Sequence, residues 1–117
     1  WTELGNLYFD ARAFEDAINA YEKSLSIDPR NPDALTDLGI MYRETEQFQK
    51  AIESFRKASA LDPTHQNSLY NEGIVFAADL HNVEEATKAW EKLLKINPHA
   101  RSPEGALVAD KIQQLRR

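Results

Sequence analysis

The chain has 117 residues, 42% of them hydrophobic and 28% charged, and it contains no cysteine. That is ordinary for one folded domain, and it excludes a disordered chain, a disulfide framework, a thiol nucleophile and any cysteine metal site. Fourteen Lys+Arg against nineteen Asp+Glu leave −5 at pH 7, the wrong sign for a surface that follows a phosphate backbone, so no nucleic-acid partner is expected.

Taken in chain order, the sequence repeats itself. The first stretch opens Trp1-Thr2-Glu3-Leu4-Gly5-Asn6-Leu7-Tyr8 and continues through Ala17, Tyr21 and Ser24 to a turn at Asp28-Pro29. Asn31-Pro32-Asp33 then supplies an N-cap, a proline at the first helical position and an acid for the helix dipole. The stripe Leu35, Leu38, Gly39, Met41 and Tyr42 predicts an amphipathic helix over 32–45. Phe48, Ala51, Ile52, Phe55, Ala58 and Leu61 predict a second over 48–61, ending at Asp62-Pro63. The third stretch carries Leu69, Gly73, Phe76, Ala86, Trp90 and Leu93 up to Asn97-Pro98. Ser102-Pro103-Glu104 repeats the start signal and predicts a last helix at about 103–116, with Leu107, Val108, Ile112 and Leu115 as its apolar stripe.

The anchors keep register. Gly5, Gly39 and Gly73 lie 34 apart, and the three proline turns lie 34 and 35 apart. The third unit therefore holds one extra residue, placed between Phe76 and Val83, where the His81-Asn82 turn is expected to change the packing of that pair; asparagine tolerates a left-handed backbone. Small residues at fixed positions let helices approach closely, and the aromatic residues three positions after each glycine and four after each alanine fill the space beside them.

These residues resemble the tetratricopeptide repeat (TPR), a 34-residue helix pair with the pattern W-x₂-L-G-x₂-Y, A-x₃-F and P. The resemblance covers residues 1 to about 98. It implies an all-α, right-handed superhelix of three helix pairs closed by a C-terminal cap: repeat 1 at 1–31, lacking its start, repeat 2 at 32–65, repeat 3 at 66–100 and the cap at 102–117. A stack of such units needs a polar-faced terminal helix to cover its last apolar surface. Glu72 departs from the family by replacing a leucine, so it needs a partner or access to water. Arg12 and Glu46 stand in tight turns where the family has glycine, predicting positive φ at non-glycine residues. Over Ser68-Leu69-Tyr70-Asn71-Glu72-Gly73 and Ala89-Trp90-Glu91-Lys92-Leu93-Leu94 the repeat style is similar to TPR regions of bacterial membrane-anchored proteins, including those that assist cytochrome c maturation.

Enzyme motifs are missing: there is no HExxH, no phosphate-binding glycine loop and no G-x-S-x-G. His65, His81 and His99 fall in or beside successive inter-helix turns, too far apart along the stack to converge, and read as capping or solvated residues rather than ligands. The chain is thus read as non-catalytic, without metal or cofactor. No apolar run approaches the roughly 18 residues of a spanning helix, so this stretch is not expected to enter a membrane.

What the resemblance does imply is a binding surface. The first helix of each pair lines the inside of a TPR superhelix. Carried onto this chain, the lining is Thr2, Asn6 and Phe9, then Asp33, Thr36, Asp37, Ile40 and Arg43, then Asn67, Tyr70, Asn71 and Ile74. One TPR subclass grips a C-terminal carboxylate with a Lys/Arg/Asn clamp. Asn6 matches one clamp member, but Thr2, Asp37, Asn67 and Asn71 hold the other positions, without Lys or Arg, and Asp37 would repel a carboxylate. The expected role is a protein-interaction module, a scaffold, adaptor or assembly factor, that takes a peptide or partner helix in a mildly acidic, amide-rich groove. Two alternatives stay open. One is a homo-oligomerising domain of a membrane-anchored assembly protein, meeting through an apolar end at Trp1, Leu4 and Tyr8; the other is an enzymatic role supplied by a neighbouring domain. The chain starts at Trp1 and reads as an internal piece, and its compartment, cytoplasmic or periplasmic, stays open.

Overall fold

The computed structural model describes residues 11–116. Among them it forms six α-helices: α1 (Ala11–Ile27), α2 (Pro32–Glu44), α3 (Phe48–Leu61), α4 (Gln66–Ile74), α5 (Val83–Ile96) and α6 (Val108–Leu115). A π-helical turn, Val75–Asp79, continues α4. There is no strand among the described residues, only a single antiparallel bridge between Arg101 and Leu107.

α2 starts as its cap predicts. The Asn31 side chain accepts a hydrogen bond from the Ala34 N–H at 3.1 Å, Pro32 follows, and Asp33 sits in the first turn. Its end is a Schellman closure. Gln47 N–H donates to Tyr42 O at 2.8 Å and Glu46 N–H to Arg43 O at 3.0 Å, which drives Glu46 to φ 61°. The turn before α5 closes in the same way but one residue wider. Asn82 N–H donates to Phe76 O at 2.7 Å and Leu80 N–H to Val75 O at 2.9 Å. Here His81 takes the left-handed position at φ 53°, while Asn82 instead caps α5 by accepting from Glu85 N–H at 3.2 Å. The expectation for Arg12 does not hold: α1 already begins at Ala11, so Arg12 lies in the helix rather than in a turn.

The helices pack as antiparallel neighbours in pairs, α2 on α3 and α4 on α5, with α1 against α2 and α3 against α4 joining the units. Glycine sets the approach within each pair. A Cβ at Gly39 would sit 2.5 Å from Phe55 Cε1, and one at Gly73 would overlap the Trp90 indole. Phe55 and Trp90 are buried in consequence. The core falls into two clusters, one around Leu38, Tyr42, Phe55, Val75 and Phe76 and one around Leu69, Trp90, Leu93, Val108 and Ile112. Ala77 and Leu115 pack against both, so the apolar interior runs continuously from pair to pair.

The last helix differs from expectation in length. It begins at Val108, not at 103. Ser102-Pro103-Glu104-Gly105 is a tight turn instead. Gly105 N–H donates to Ser102 O at 2.9 Å, Gly105 has φ 93°, and Ser102 exchanges bonds with Ala106 through its backbone N–H at 2.7 Å and its Oγ at 3.1 Å. The same serine and proline that can open a helix also open a turn, and a glycine three residues on favours the turn. What remains of α6 still buries Val108 and Ile112 over the second cluster.

Candidate functional site

α2 and α4, the first helices of successive pairs, touch each other and are tied at both ends. At their starts, the Asp33 carboxylate meets His65 Nε2 at 2.8 Å. At their far ends, Arg43 Nε donates to Asp79 Oδ2 at 2.6 Å and its terminal nitrogen to Oδ1 at 3.4 Å. Start bonded to start and end bonded to end means that the two helices run in the same direction. A strip of α2 and α4 side chains lies between these ties.

The expected lining residues divide into three groups. Asp33, Asp37 and Asn67 are exposed; Ile40, Tyr70, Asn71 and Ile74 are half-buried. Thr36 is a correction: it is buried, its hydroxyl donates to Pro32 O at 2.8 Å, and it offers nothing to a ligand. A threonine oxygen that bonds back to the preceding helical turn can be buried without another partner. Arg43 is present in the strip but engaged by Asp79. Thr2, Asn6 and Phe9 lie outside the described residues, as do Trp1, Leu4 and Tyr8.

The electrostatics are acidic and amide-rich. Partial burial, with the Asp33 charge adding to it, pushes the Asp37 carboxyl above the usual range, while the Tyr21 hydroxyl at 3.4 Å and the nearby His65 pull the other way. The Asp79 hydrogen bond holds the Arg43 guanidinium charged even more firmly than usual. The Asn71 amide donates to Asn67 O at 2.8 Å, which fixes its side chain along the helix and leaves its carbonyl oxygen as an acceptor. Tyr70 stacks on Trp90 with ring centroids 6.1 Å apart, and Trp90 Nε1 donates to Tyr70 O at 3.1 Å. Trp90 thus contacts both the ring and the backbone of Tyr70, midway along α4.

Two residues absent from the expected lining matter to it. Asp79 comes from the π-turn, and no local sequence signal pairs it with Arg43. His65 is the N-cap of α4, accepting from Ser68 N–H at 3.3 Å. Its position beside a proline turn suggested capping, but not the bond to Asp33. Ser68, His65 and Asp33 stand in the hydrogen-bond order of a hydrolytic triad, with Ser68 Oγ 3.1 Å from His65 Nδ1. Ser68 is fully buried and donates its hydroxyl to His65 O at 2.9 Å, so no substrate carbonyl can reach it. This set is a helix cap.

Glu72 is buried on the other side of α4. Arg56 lies between it and Glu85, 3.6 Å from Glu72 and 3.5 Å from Glu85. Burial pushes the Glu72 carboxyl up, against the opposing pull of Arg56 and Lys92. A cleft of 670 Å³ between α1, α2 and α3 is lined by Leu25, Leu35, Leu38, Tyr42 and Leu61 among others, and shares no residue with the strip. Among the described residues no three His, Asp or Glu side chains converge as a metal site, and no helix is long and apolar enough to cross a membrane.

The tetratricopeptide repeat family model matches residues 4–70. The chain belongs to that family. Among solved structures it is similar to the first TPR of Spaghetti (RPAP3) bound to the HSP90 peptide SRMEEVD, at 27% identity and a TM-score of 0.77 over 97% of this chain and 86% of that one. The first TPR domain of human RPAP3 matches equally well, at 27% identity and a TM-score of 0.77 over 97% of this chain and 85% of that one. The Sgt2 TPR domain from Aspergillus fumigatus shares the fold, at 24% identity and a TM-score of 0.78 over 97% of this chain and 73% of that one. No curated protein matches the sequence.

Proposed function

We propose that this domain is a non-catalytic protein-interaction module that takes an uncharged or basic peptide segment, or a partner helix, along the strip between α2 and α4. The observation that carries this reading is the composition of the strip between its two ties. Asp37, Asn67 and Asn71 offer acceptors and amides beside the half-buried Ile40 and Ile74, and the Arg43 charge is already neutralised. Amide groups suit the backbone of an extended chain, and the isoleucines give its alternate side chains an apolar footing. The RPAP3 domain, solved with an acidic HSP90 peptide, supports the general role of such a groove. The ligand proposed here differs in charge, because Asp33 and Asp37 disfavour an acidic tail.

Three seven-residue peptides test the reading: SRMEEVD, an uncharged one and a basic one, titrated by fluorescence anisotropy. The uncharged and basic peptides are expected to bind more tightly than SRMEEVD. Asn67→Ala combined with Asn71→Ala is expected to weaken them by roughly tenfold, equivalent to one or two lost hydrogen bonds, with an unchanged melting curve. Undiminished binding by the folded double variant would overturn the proposal.

A further inference from the structure

The extra residue of the third repeat does more than lengthen a turn. Tyr42 and Phe76 are in register at 34 residues, whereas Gln47 and Asn82, which donate to their carbonyl oxygens, are 35 apart. The added residue is stored as the π-turn Val75–Asp79, whose end carries Asp79 to Arg43. π-Turns inside α-helices re-aim the side chains that follow them and recur at functional sites. Both carboxylate oxygens of Asp79 face guanidinium nitrogens, a forked arrangement that satisfies charge and direction together. The two side chains are 31% and 18% exposed, so water screens the pair only in part.

Arg43 is the one cation among the described lining residues, and the remaining charges there are Asp33 and Asp37. Glu44 and Glu46 line the same small cleft as Arg43 and Asp79. An Arg43 free of Asp79 would be the natural anchor for an acidic segment. We infer that Asp79 is a specificity-determining residue of the groove: by occupying Arg43 it turns the strip away from acidic segments and toward uncharged or basic ones. This rests on the groove reading above and adds to it the residue that sets ligand charge. A strut that only stabilised the fold would change affinity for every ligand alike, whereas a charge mask changes the ratio between them.

The test uses the same SRMEEVD, uncharged and basic peptides with the whole 117-residue chain. Asp79→Ala and Asp79→Asn are expected to bind SRMEEVD roughly fivefold more tightly and the basic peptide less tightly, with the gain fading as salt shortens the reach of the Arg43 charge. Arg43→Ala added to Asp79→Ala is expected to abolish the gain. Asp79→Asn keeps the side chain's shape and one acceptor, so it carries the test if the alanine variant is poorly folded. An Asp79→Asn protein with a normal melting curve and an unchanged acidic-to-basic ratio overturns the inference, and so does a gain that survives removal of Arg43. If the wild-type chain binds the uncharged peptide and only that ratio fails to move, the Asp79 assignment falls alone. If the wild-type chain binds none of the three peptides, the groove reading falls and takes this inference with it.

Discussion

Glu72 shows how a single residue can carry an unfavourable term that the rest of the molecule tolerates. Its carboxylate is buried, and its nearest cation, Arg56, stands 3.6 Å away, longer than a well-formed ion pair, and is shared with Glu85. Burial raises its pKa, so the folded state favours the protonated form. The stabilising contribution of Glu72 is full below the ordinary glutamate value and is lost as pH rises through its raised native value. Glu72→Leu, which restores the family's residue, is expected to stabilise the domain by about 1 kcal/mol at neutral pH, since a buried ion replaced by a packed apolar side chain is often a gain. Arg56 keeps Glu85 as its partner. Thermal melts of both proteins at pH 7 and pH 4 check this: the difference should shrink on acidification. A variant less stable than the wild type at pH 7 would show that the Arg56 contact outweighs burial. Sequence alone marked Glu72 as misplaced, because the repeat register exposed it. It did not indicate Arg56 as the partner, since that contact joins two repeats.

At the scale of elements, the repeat works through close helix approach at Gly39 and Gly73. Trp90 fills the space that a Cβ at Gly73 would need, and its indole N–H holds Tyr70 O. Gly73→Ala is therefore expected to displace Trp90 and to cost about 1–3 kcal/mol, as overpacking does. Urea unfolding with tryptophan fluorescence reads both effects; an unshifted midpoint would mean that the α4–α5 approach has slack. These positions were legible in the sequence because glycine and its aromatic partner recur with the repeat. Glu46 was legible for the same reason, standing where a left-handed backbone was needed and adopting φ 61°. Two elements were not. The start of α6 was misread because serine, proline and an acid signal a helix N-terminus and a turn alike, and only Gly105, at φ 93°, decides between them. The π-turn left no compositional mark either. One extra residue was visible, but whether it extends the loop or widens the helix is set by which carbonyls are left to accept.

At the scale of the molecule, the six helices of the described residues stack so that each unit contacts mainly its neighbours, and α6 covers the last apolar surface with Val108 and Ile112. Stacking also places α2 and α4 side by side and parallel, which turns single exposed residues into a strip. The repeat register puts the proposed lining on α2 and α4; within it Thr36 is buried and Arg43 is paired with Asp79. Both features come from contacts that register cannot encode: a hydroxyl bonded one turn back, and an aspartate delivered by an insertion. Of the acids behind the net charge of −5, Asp33 and Asp37 lie on the strip, while Asp79 at its far end is offset by Arg43. The most direct test of the central claim is an amide chemical-shift map of the isotope-labelled chain titrated with the uncharged peptide. Shifts are expected to concentrate at Asp37, Ile40, Asn67, Asn71 and Ile74. Shifts gathered instead around Leu25, Lys50, Lys57 and Leu61, in the cleft between α1, α2 and α3, would contradict it.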